Sequence, residues 1–365
     1  MIRLAKPNID ERSIARVAEV LRSGNLVQGE NVSAFENELE NYLRIKHVIV
    51  VSSGTAALHL SLLSLGIGAG DEVIVPSFTF PATVNTVELV GATPRFVDIS
   101  LNDFCIDVTK IEKAINNRTR AIMPVHEFGY PAAMGQISAI AKEHDLKIIE
   151  DAACALGSEY RGGKVGTFGN AGCFSFHPRK AITTGEGGAI ATNDSRIASH
   201  VKALRNHGLQ YKSGKSFFEY AGFNYRMTDF QAVLGISQLI DYESQIQERI
   251  NLADFYNRHL EDVSWIKTPS VLSGNKMIYQ TYHIMVNNNI DRENLIQYLY
   301  DRKIETNFGA HTVPLQEYYN DKYGFIMQDN LNAYYAGARG LALPIGPHIS
   351  TNECLLVIDA LKGYM

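Results

Sequence analysis

A lysine in a glycine-rich loop is the residue of this sequence with the clearest chemical potential. Residues 174–176 predict the end of a buried strand, which runs into a polar loop that contains Lys180 and closes with Gly185 to Gly188. Functional sites of open α/β sheets lie at the carboxyl ends of the strands, where a desolvated lysine can be a neutral nucleophile that forms imines. The alternative is a solvated loop charge, which is the usual state of a lysine.

Two adjacent acids, Glu150 and Asp151, end a second predicted strand. A buried carboxylate beside the ring nitrogen of pyridoxal 5'-phosphate (PLP) keeps that nitrogen protonated, so Asp151 is a candidate contact for this cofactor. Asp151 could instead cap a helix, and Glu150 could instead be the functional acid. Because side chains alternate along a strand, the two acids are expected to point to opposite faces.

A third candidate site lies between a predicted strand and helix at residues 52–57, which include Gly54 and Thr55. The free N–H groups at a helix N-terminus bind phosphate, although simple helix capping explains the same residues. Ser175, at the end of its strand, is a candidate for a further phosphate contact. Phe80 also follows a strand and could stack on a flat ring, or could be an ordinary core residue.

Other chemistries have less support in the sequence. His126-Glu127 begins like a zinc-protease motif but has no second histidine at the required spacing, and the four cysteines show no CxxC pair, so no metal is predicted. The glycines of residues 66–70 follow a helix rather than a strand, which excludes a dinucleotide fingerprint. The net charge of -5 disfavours nucleic acid and membrane partners, and with no apolar leader we expect a cytoplasmic protein.

The pattern of apolar residues predicts the fold class. Short apolar runs alternate with helical patterns through the first 220 residues, which is typical of an α/β protein with a largely parallel sheet covered on both faces. Residues 228–260 form one long run of helix formers that reads as a connector, and the remainder predicts a smaller α+β domain. A length of 365 residues suits two domains, which we place at residues 1–240 and 241–365.

Five ordered motifs closely resemble the DegT/DnrJ/EryC1/StrS family of PLP-dependent nucleotide-sugar aminotransferases. They are Ser53-Gly54-Thr55-Ala56-Ala57-Leu58, Glu150-Asp151-Ala152-Ala153, Ser175-Phe176 with Lys180, Gly185-Glu186-Gly187-Gly188 and Asn224-Tyr225-Arg226-Met227. The resemblance implies an aspartate-aminotransferase-like fold (PLP fold type I) with a mostly parallel seven-stranded sheet. It also implies a homodimer with shared active sites, an amino donor such as glutamate, and a nucleotide-linked keto-deoxysugar as acceptor.

The resemblance also implies roles for single residues. Lys180 would be the Schiff-base lysine and proton shuttle, Asp151 the partner of the pyridine nitrogen and Phe80 the stacking ring. Phosphate would be held by Gly54, Thr55 and Ser175, and by Asn224 of the neighbouring subunit.

The departures from the family pattern lie around the substrate. Cys154 stands near the cofactor ring where glutamine or histidine is common, and His311, a candidate substrate residue, is followed by threonine instead of tyrosine. A PLP-dependent sugar dehydratase, which has histidine at the lysine position, and a non-catalytic regulatory homologue are the rival interpretations.

Overall fold

The computed structural model describes residues 1–364, and all statements on structure refer to these residues. The helices are α1 (Glu11–Ser23), α2 (Glu30–Leu43), α3 (Gly54–Ser64), α4 (Pro81–Leu89), α5 (Val108–Ala114), α6 (Met134–Glu143), α7 (Ser195–Arg205), α8 (Asp229–Leu239), α9 (Tyr242–Leu260), α10 (Arg292–Asp301), α11 (Glu317–Tyr323), α12 (Leu331–Arg339) and α13 (Thr351–Lys362). The strands are β1 (His47–Val51), β2 (Glu72–Pro76), β3 (Phe78–Thr79), β4 (Thr93–Val97), β5 (Thr119–Ile122), β6 (Lys147–Asp151), β7 (Glu159–Tyr160), β8 (Gly163–Lys164), β9 (Ala171–Ser175), β10 (Gly188–Thr192), β11 (Leu209–Lys212), β12 (Lys215–Phe218), β13 (Ile266–Lys267), β14 (Tyr282–Val286), β15 (His311–Thr312) and β16 (Gly340–Leu343).

A seven-stranded sheet in the order β1-β10-β9-β6-β5-β2-β4 forms the centre of the molecule. Only β10 runs antiparallel to its neighbours β1 and β9, while the other pairs are parallel. The strands are continuous apolar runs because helices cover both faces, as is usual for parallel sheets. The predicted mostly parallel α/β sheet is therefore confirmed.

The two faces of the sheet belong to two separate apolar clusters. In β1, Val48 and Val50 pack on one face with α2, and Ile49 and Val51 pack on the other with α3, as strand alternation requires. The first cluster continues into the C-terminal sheet β13-β14-β16, where it includes Ile284. The division into domains at residues 240 and 241 stays a prediction.

Three local features differ from the sequence expectations. The long helical run consists of two helices, α8 and α9, which separate at Ile240 and Asp241, where the Asp241 carboxylate accepts a hydrogen bond from Arg12 of α1. Strand β10 was not predicted because it consists of glycine, alanine, isoleucine and threonine directly after a glycine-rich loop. The hairpin β11-β12 was also not predicted.

Within residues 1–364, no helix combines the length and apolar composition needed to cross a lipid bilayer.

Candidate active site

The carboxyl ends of the parallel strands meet at one edge of the sheet, and the predicted residues gather there. Gly54 follows β1, Phe80 follows β2 and β3, Asp151 ends β6, and Ser175 ends β9 immediately before the loop of Lys180. Parallel strands necessarily bring such positions together, because their carboxyl ends all point to the same edge.

The backbone of the loop that carries Lys180 is held at both ends of the loop and by two side chains from other segments. Phe176 N–H donates to Gly187 O at 2.8 Å, and Thr184 N–H donates to Phe176 O at 3.0 Å, which closes the loop. From α8, the Gln238 amide donates to Thr183 O at 2.6 Å. The Gln280 amide, from the segment before β14, donates to Arg179 O at 2.7 Å. The lysine is thus presented by an anchored backbone.

The amine of Lys180 lies in an acidic pocket rather than in solvent. Its Nζ donates a hydrogen bond to Cys154 Sγ at 3.0 Å. Burial lowers the pKa of Lys180, but Cys154, Asp151 and Glu127 outweigh burial and hold that pKa above its ordinary value. The amine is thus desolvated as expected, but the nearby acids favour its ammonium form, so its role as a neutral nucleophile stays a prediction.

Asp151 is buried at the end of β6 and is partly satisfied by hydrogen bonds. The Thr83 hydroxyl donates to its Oδ2 at 2.7 Å, and the Ala153 N–H donates to its Oδ1 at 3.1 Å. Burial raises the pKa of Asp151, while Thr83, Ala153 and the charge of Lys180 oppose that rise. The carboxylate and the lysine amine influence each other's protonation and so belong to one site.

Glu150 points to the opposite face of the sheet, as strand alternation predicts. Its carboxylate accepts hydrogen bonds from His126 Nε2 at 3.0 Å and from the backbone N–H groups of Gly166, Phe168 and Gly169, each at 2.7 Å. Four donors occupy its oxygens, so Glu150 holds the loop before β9 in place. Of the two acids, only Asp151 faces the pocket of Lys180.

The turn between β1 and α3 packs directly against the end of β9. Ser53 caps α3, its Oγ accepting from the Ala56 N–H at 3.0 Å, so the capping interpretation is correct for this residue. A Cβ added to Gly54 would lie only 2.8 Å from the Ser175 Cβ. Thr55 is exposed on the first turn. The helix N-terminus, Gly54 and Ser175 thus form one cradle in which a phosphate group could lie.

The three remaining predicted residues are Phe80, His311 and Asn224. The side chain of Phe80 is 64% exposed, and its ring is 6.3 Å from the ring of His311, measured between centroids. His311 reaches this edge because β15 pairs with β3, where His311 lies opposite Thr79. Asn224 is exposed and its segment pairs with the backbone of Asn206, so its side chain is available to a neighbouring molecule.

Glu127 was dismissed at the sequence level together with the incomplete zinc motif, yet it lies within the site. It follows β5, it is buried, and its Oε2 has no hydrogen-bond partner within the described residues. Burial and the charge of Asp151 raise the pKa of Glu127 to about 8, against the effect of Lys180. Its position after a parallel strand was the signal that could have identified it.

Comparisons with known proteins decide which chemistry this edge of the sheet serves. The model of the DegT/DnrJ/EryC1/StrS aminotransferase family matches residues 7–362. The chain belongs to this family. It is 37% identical to a GDP-perosamine synthase of Escherichia coli O157:H7, with 92% of this chain and 91% of that protein covered.

Solved structures of similar proteins share the whole fold. PseC of Helicobacter pylori, an aminotransferase of pseudoaminic acid biosynthesis, superposes with a TM-score of 0.94 at 30% identity, covering 99% of this chain and 98% of PseC. The PLP form of Spr1654 from Streptococcus pneumoniae has a TM-score of 0.94 at 29% identity, covering 99% of this chain and 97% of Spr1654. The DegT/DnrJ/EryC1/StrS enzyme described here is thus a PLP-dependent aminotransferase of PLP fold type I.

The residues at the sheet edge fit PLP. Asp151 offers a buried carboxylate for the ring nitrogen, and Phe80 offers an exposed aromatic face. The cradle of Gly54 and Ser175 offers a helix N-terminus for the phosphate, and Lys180 offers the amine for the aldehyde. These assignments remain predictions, which substitutions can test one at a time.

We expect Gly54→Ala to weaken PLP binding by about 5- to 150-fold, because relieving the 2.8 Å contact with Ser175 distorts the cradle at a cost of roughly 1–3 kcal/mol of overpacking. Titration of the PLP-free protein with PLP, followed by absorbance, measures the change. Gly68→Ala is the matched control, since its new Cβ would meet Val90 O at an ordinary 3.5 Å. Equal PLP affinity in the two variants would remove Gly54 from the phosphate site.

Proposed function

We propose that this enzyme transfers an amino group from an amino acid, with glutamate as the expected donor, to the keto group of a nucleotide-linked deoxysugar. The observation that carries the proposal is the lysine amine of Lys180 beside the buried carboxylate of Asp151 at the carboxyl edge of the sheet. The similarity to a GDP-perosamine synthase and to PseC supports a sugar derivative as acceptor. Lysine rather than histidine at position 180 favours amino transfer over dehydration.

Lys180 is proposed to do two things in this reaction. Its Nζ would hold PLP covalently between turnovers, and its free amine would take a proton from the α carbon of the amino donor. When bound, PLP supplies an electron sink that makes this α proton acidic. In each half-reaction Lys180 would act first as base and then as acid: it would pass the α proton of the donor to the C4′ carbon of the cofactor, and in the second half it would pass a proton from C4′ to the sugar carbon.

The other residues are proposed to hold and polarise the cofactor. The Asp151 carboxylate keeps a proton on the pyridine nitrogen, and the hydroxyl of Thr83 fixes the direction of that carboxylate. Cys154 Sγ accepts a hydrogen bond from the lysine amine and so sets where that amine rests. Phe80 covers one face of the ring, and His311, within ring-contact distance of Phe80, lies where a sugar substrate would approach.

The proposed reaction can be followed in its two halves. Glutamate should bleach the visible absorbance of the PLP-loaded enzyme, and a keto-deoxysugar nucleotide should restore it, with the aminated sugar identified by mass spectrometry. A panel that varies the nucleotide and the keto position identifies the natural acceptor. Recovery with keto acids but with no keto-sugar nucleotide would reject the proposed acceptor, and the absence of bleaching by any amino donor would reject amino transfer.

We further propose that the active enzyme is a homodimer in which each site takes Asn224 from the partner subunit. Asn224 follows the β11-β12 hairpin, whose Tyr211 and Phe218 are 73% and 72% exposed. Large aromatic side chains so exposed are typical of protein interfaces. The carbonyl of Tyr225, next to Asn224, accepts from the Ser52 N–H at 2.8 Å, which ties this segment to the phosphate turn.

A mixed dimer tests the shared site. When inactive Lys180→Ala and Asn224→Ala proteins are unfolded together and refolded, a shared site predicts recovery of about a quarter of wild-type activity, because half of the dimers are mixed and each has one intact site of two. Each variant refolded alone is the control. If Asn224 served its own chain, no intact site would form and the mixture would stay inactive.

A further inference from the structure

Glu127 is a buried acid to which the proposed reaction assigns no role. It begins the 3-10 turn Glu127–Gly129 and is only 5% exposed. The turn is fixed to β6, because the His126 N–H donates to Asp151 O at 3.0 Å and the His126 ring contacts Glu150. Its Oε2 has no hydrogen-bond partner within residues 1–364, and a buried unpaired carboxyl oxygen destabilises a fold. Such a group calls for a functional explanation.

Two hydroxyl groups connect Glu127 with Asp151. The single proton of Thr83 Oγ1 is donated to the Asp151 carboxylate, so Thr83 must accept from Thr79 Oγ1, which lies 3.1 Å away. The proton of the Thr79 hydroxyl is then engaged in the hydrogen bond to Thr83. Toward the neighbouring Glu127 carboxyl, Thr79 can therefore only accept. Burial of Glu127 and the charge of Asp151 are what raise the pKa of this carboxyl.

The groups that face Glu127 come from several elements. Asp151 of β6 and Lys180 of the loop after β9 are its charged neighbours within the site. The turn of Glu127 packs on the partner of Lys180, because a Cβ at Gly129 would lie 3.1 Å from Cys154 O and Lys180 Nζ donates to Cys154 Sγ at 3.0 Å. Burial raises the pKa of the thiols of Cys154 and Cys105.

Three more titratable groups, Asp103, Tyr130 and His283, line a small cavity together with Glu127. Burial raises the pKa of Tyr130, so its phenol is neutral at ordinary pH. Burial lowers the pKa of His283 to about 3, so this histidine is neutral at ordinary pH. Burial raises the pKa of Asp103 to about 6, so this acid is charged above that pH. Of the groups facing Glu127, Lys180 is thus the cation that can respond to its charge.

We propose that Glu127 is a positioning residue that acts through Lys180, its charge deciding how firmly the lysine amine holds its proton. The ionised carboxylate stabilises the ammonium form of Lys180, and the protonated carboxyl releases it. The pocket can thereby keep Lys180 as an ammonium ion or let it lose its proton, without a large movement of the backbone. This inference rests on the proposed role of Lys180, but the effect on its protonation exists whether or not the sugar reaction is correct.

The test measures the protonation of Lys180 directly. The full-length protein, freed of PLP, is treated with an amine-selective reagent over a series of pH values, and modification of the Lys180 peptide is followed by mass spectrometry. In Glu127→Gln, the pH of half-maximal reactivity should fall by about one unit or more, because a carboxylate close to the amine is lost. Glu127→Asp, which keeps the charge, should restore most of the wild-type value.

Matched variants decide between this role and a structural one. Asp103→Asn removes another acid that lines the same cavity and should leave the Lys180 titration unchanged. Glu127→Leu is a second neutral replacement in case Glu127→Gln does not fold. A wild-type titration in the neutral variant, or an equal shift in Asp103→Asn, would overturn the inference. If the wild-type protein failed to bind PLP, the proposed function would fail, while the Lys180 titration would still test Glu127.

Discussion

Lys180→Ala is expected to lower turnover by at least about 10⁴, because a positioned general acid–base group alone contributes 10²–10⁴ and this lysine also binds the cofactor covalently. The visible absorbance due to the covalent bond between PLP and the lysine should disappear. Both effects follow from the position of Lys180 Nζ, 3.0 Å from Cys154 and next to the buried Asp151. Single-turnover assays with glutamate and absorbance spectra measure them.

Loss of the lysine should affect chemistry far more than folding. The backbone of the Lys180 loop is held by Gln238 and Gln280 through carbonyl groups of other residues, so the substitution leaves these hydrogen bonds in place. Circular dichroism of Lys180→Ala should therefore resemble the wild type, and its thermal unfolding, compared without PLP, should show only the loss of the attraction between the lysine and the buried acids. A variant that retained turnover with the native fold would show that another group performs the proton transfer.

Asp151→Asn is expected to have the second largest effect, a decrease in turnover on the order of 10³, similar to the loss of a strong electrostatic contact in a transition state. A neutral amide cannot hold a proton on the pyridine nitrogen, so PLP becomes a weak electron sink. Stability should be equal or higher: the raised pKa of Asp151 means that its ionisation in the folded state costs free energy of folding above its unfolded pKa. Steady-state kinetics and thermal unfolding at pH 7 test both effects.

Glu150→Gln is the natural control, because the adjacent acid has the same charge and a different task. An amide NH₂ group would face backbone N–H donors that now bind the carboxylate, which should destabilise the protein by about 2 kcal/mol or more. Glu150→Gln should lower the free energy of unfolding more than Asp151→Asn does. At a temperature where both variants are folded, it should lower turnover less than Asp151→Asn does. The opposite ranking would exchange the roles assigned to the two acids.

Local patterns in the sequence predicted much of the site because residues that follow parallel strands all lie at the same edge of the sheet. Asp151, Ser175, Phe80 and Gly54 each follow a strand that periodicity identifies, and the fold places all of them at one edge. Alternation along β6 also separated Glu150 from Asp151 correctly. These predictions needed only the strand ends and the parallel direction.

Other features of the site depend on contacts between distant segments, which local patterns do not contain. The raised pKa of Lys180 results from Asp151 and Cys154, at and just after the end of β6, and from Glu127 in the turn after β5. His126-Glu127 was set aside as an incomplete zinc motif, so Glu127 was not considered as a residue of the site. His311 reaches the site only through the pairing of β15 with β3, which no periodicity indicates.

The secondary structure also contains an element that local sequence patterns do not indicate. Strand β10 was missed because it consists mainly of small residues that the packing requires. A Cβ at Gly188 would lie 2.4 Å from Ser53 O, so only glycine allows β10 to pass the phosphate turn at this distance. That constraint is set by the tertiary structure and leaves no strand-like pattern in the sequence.

The most direct test of the account is the identity of the lysine that carries PLP. Reduction of the PLP-loaded enzyme with borohydride fixes the cofactor to the side chain to which it is bonded, and peptide mass spectrometry then locates it. We predict a single phosphopyridoxyl group on the peptide that contains Lys180. The same group on another lysine, or its absence from an enzyme that turns over, would contradict the central claim.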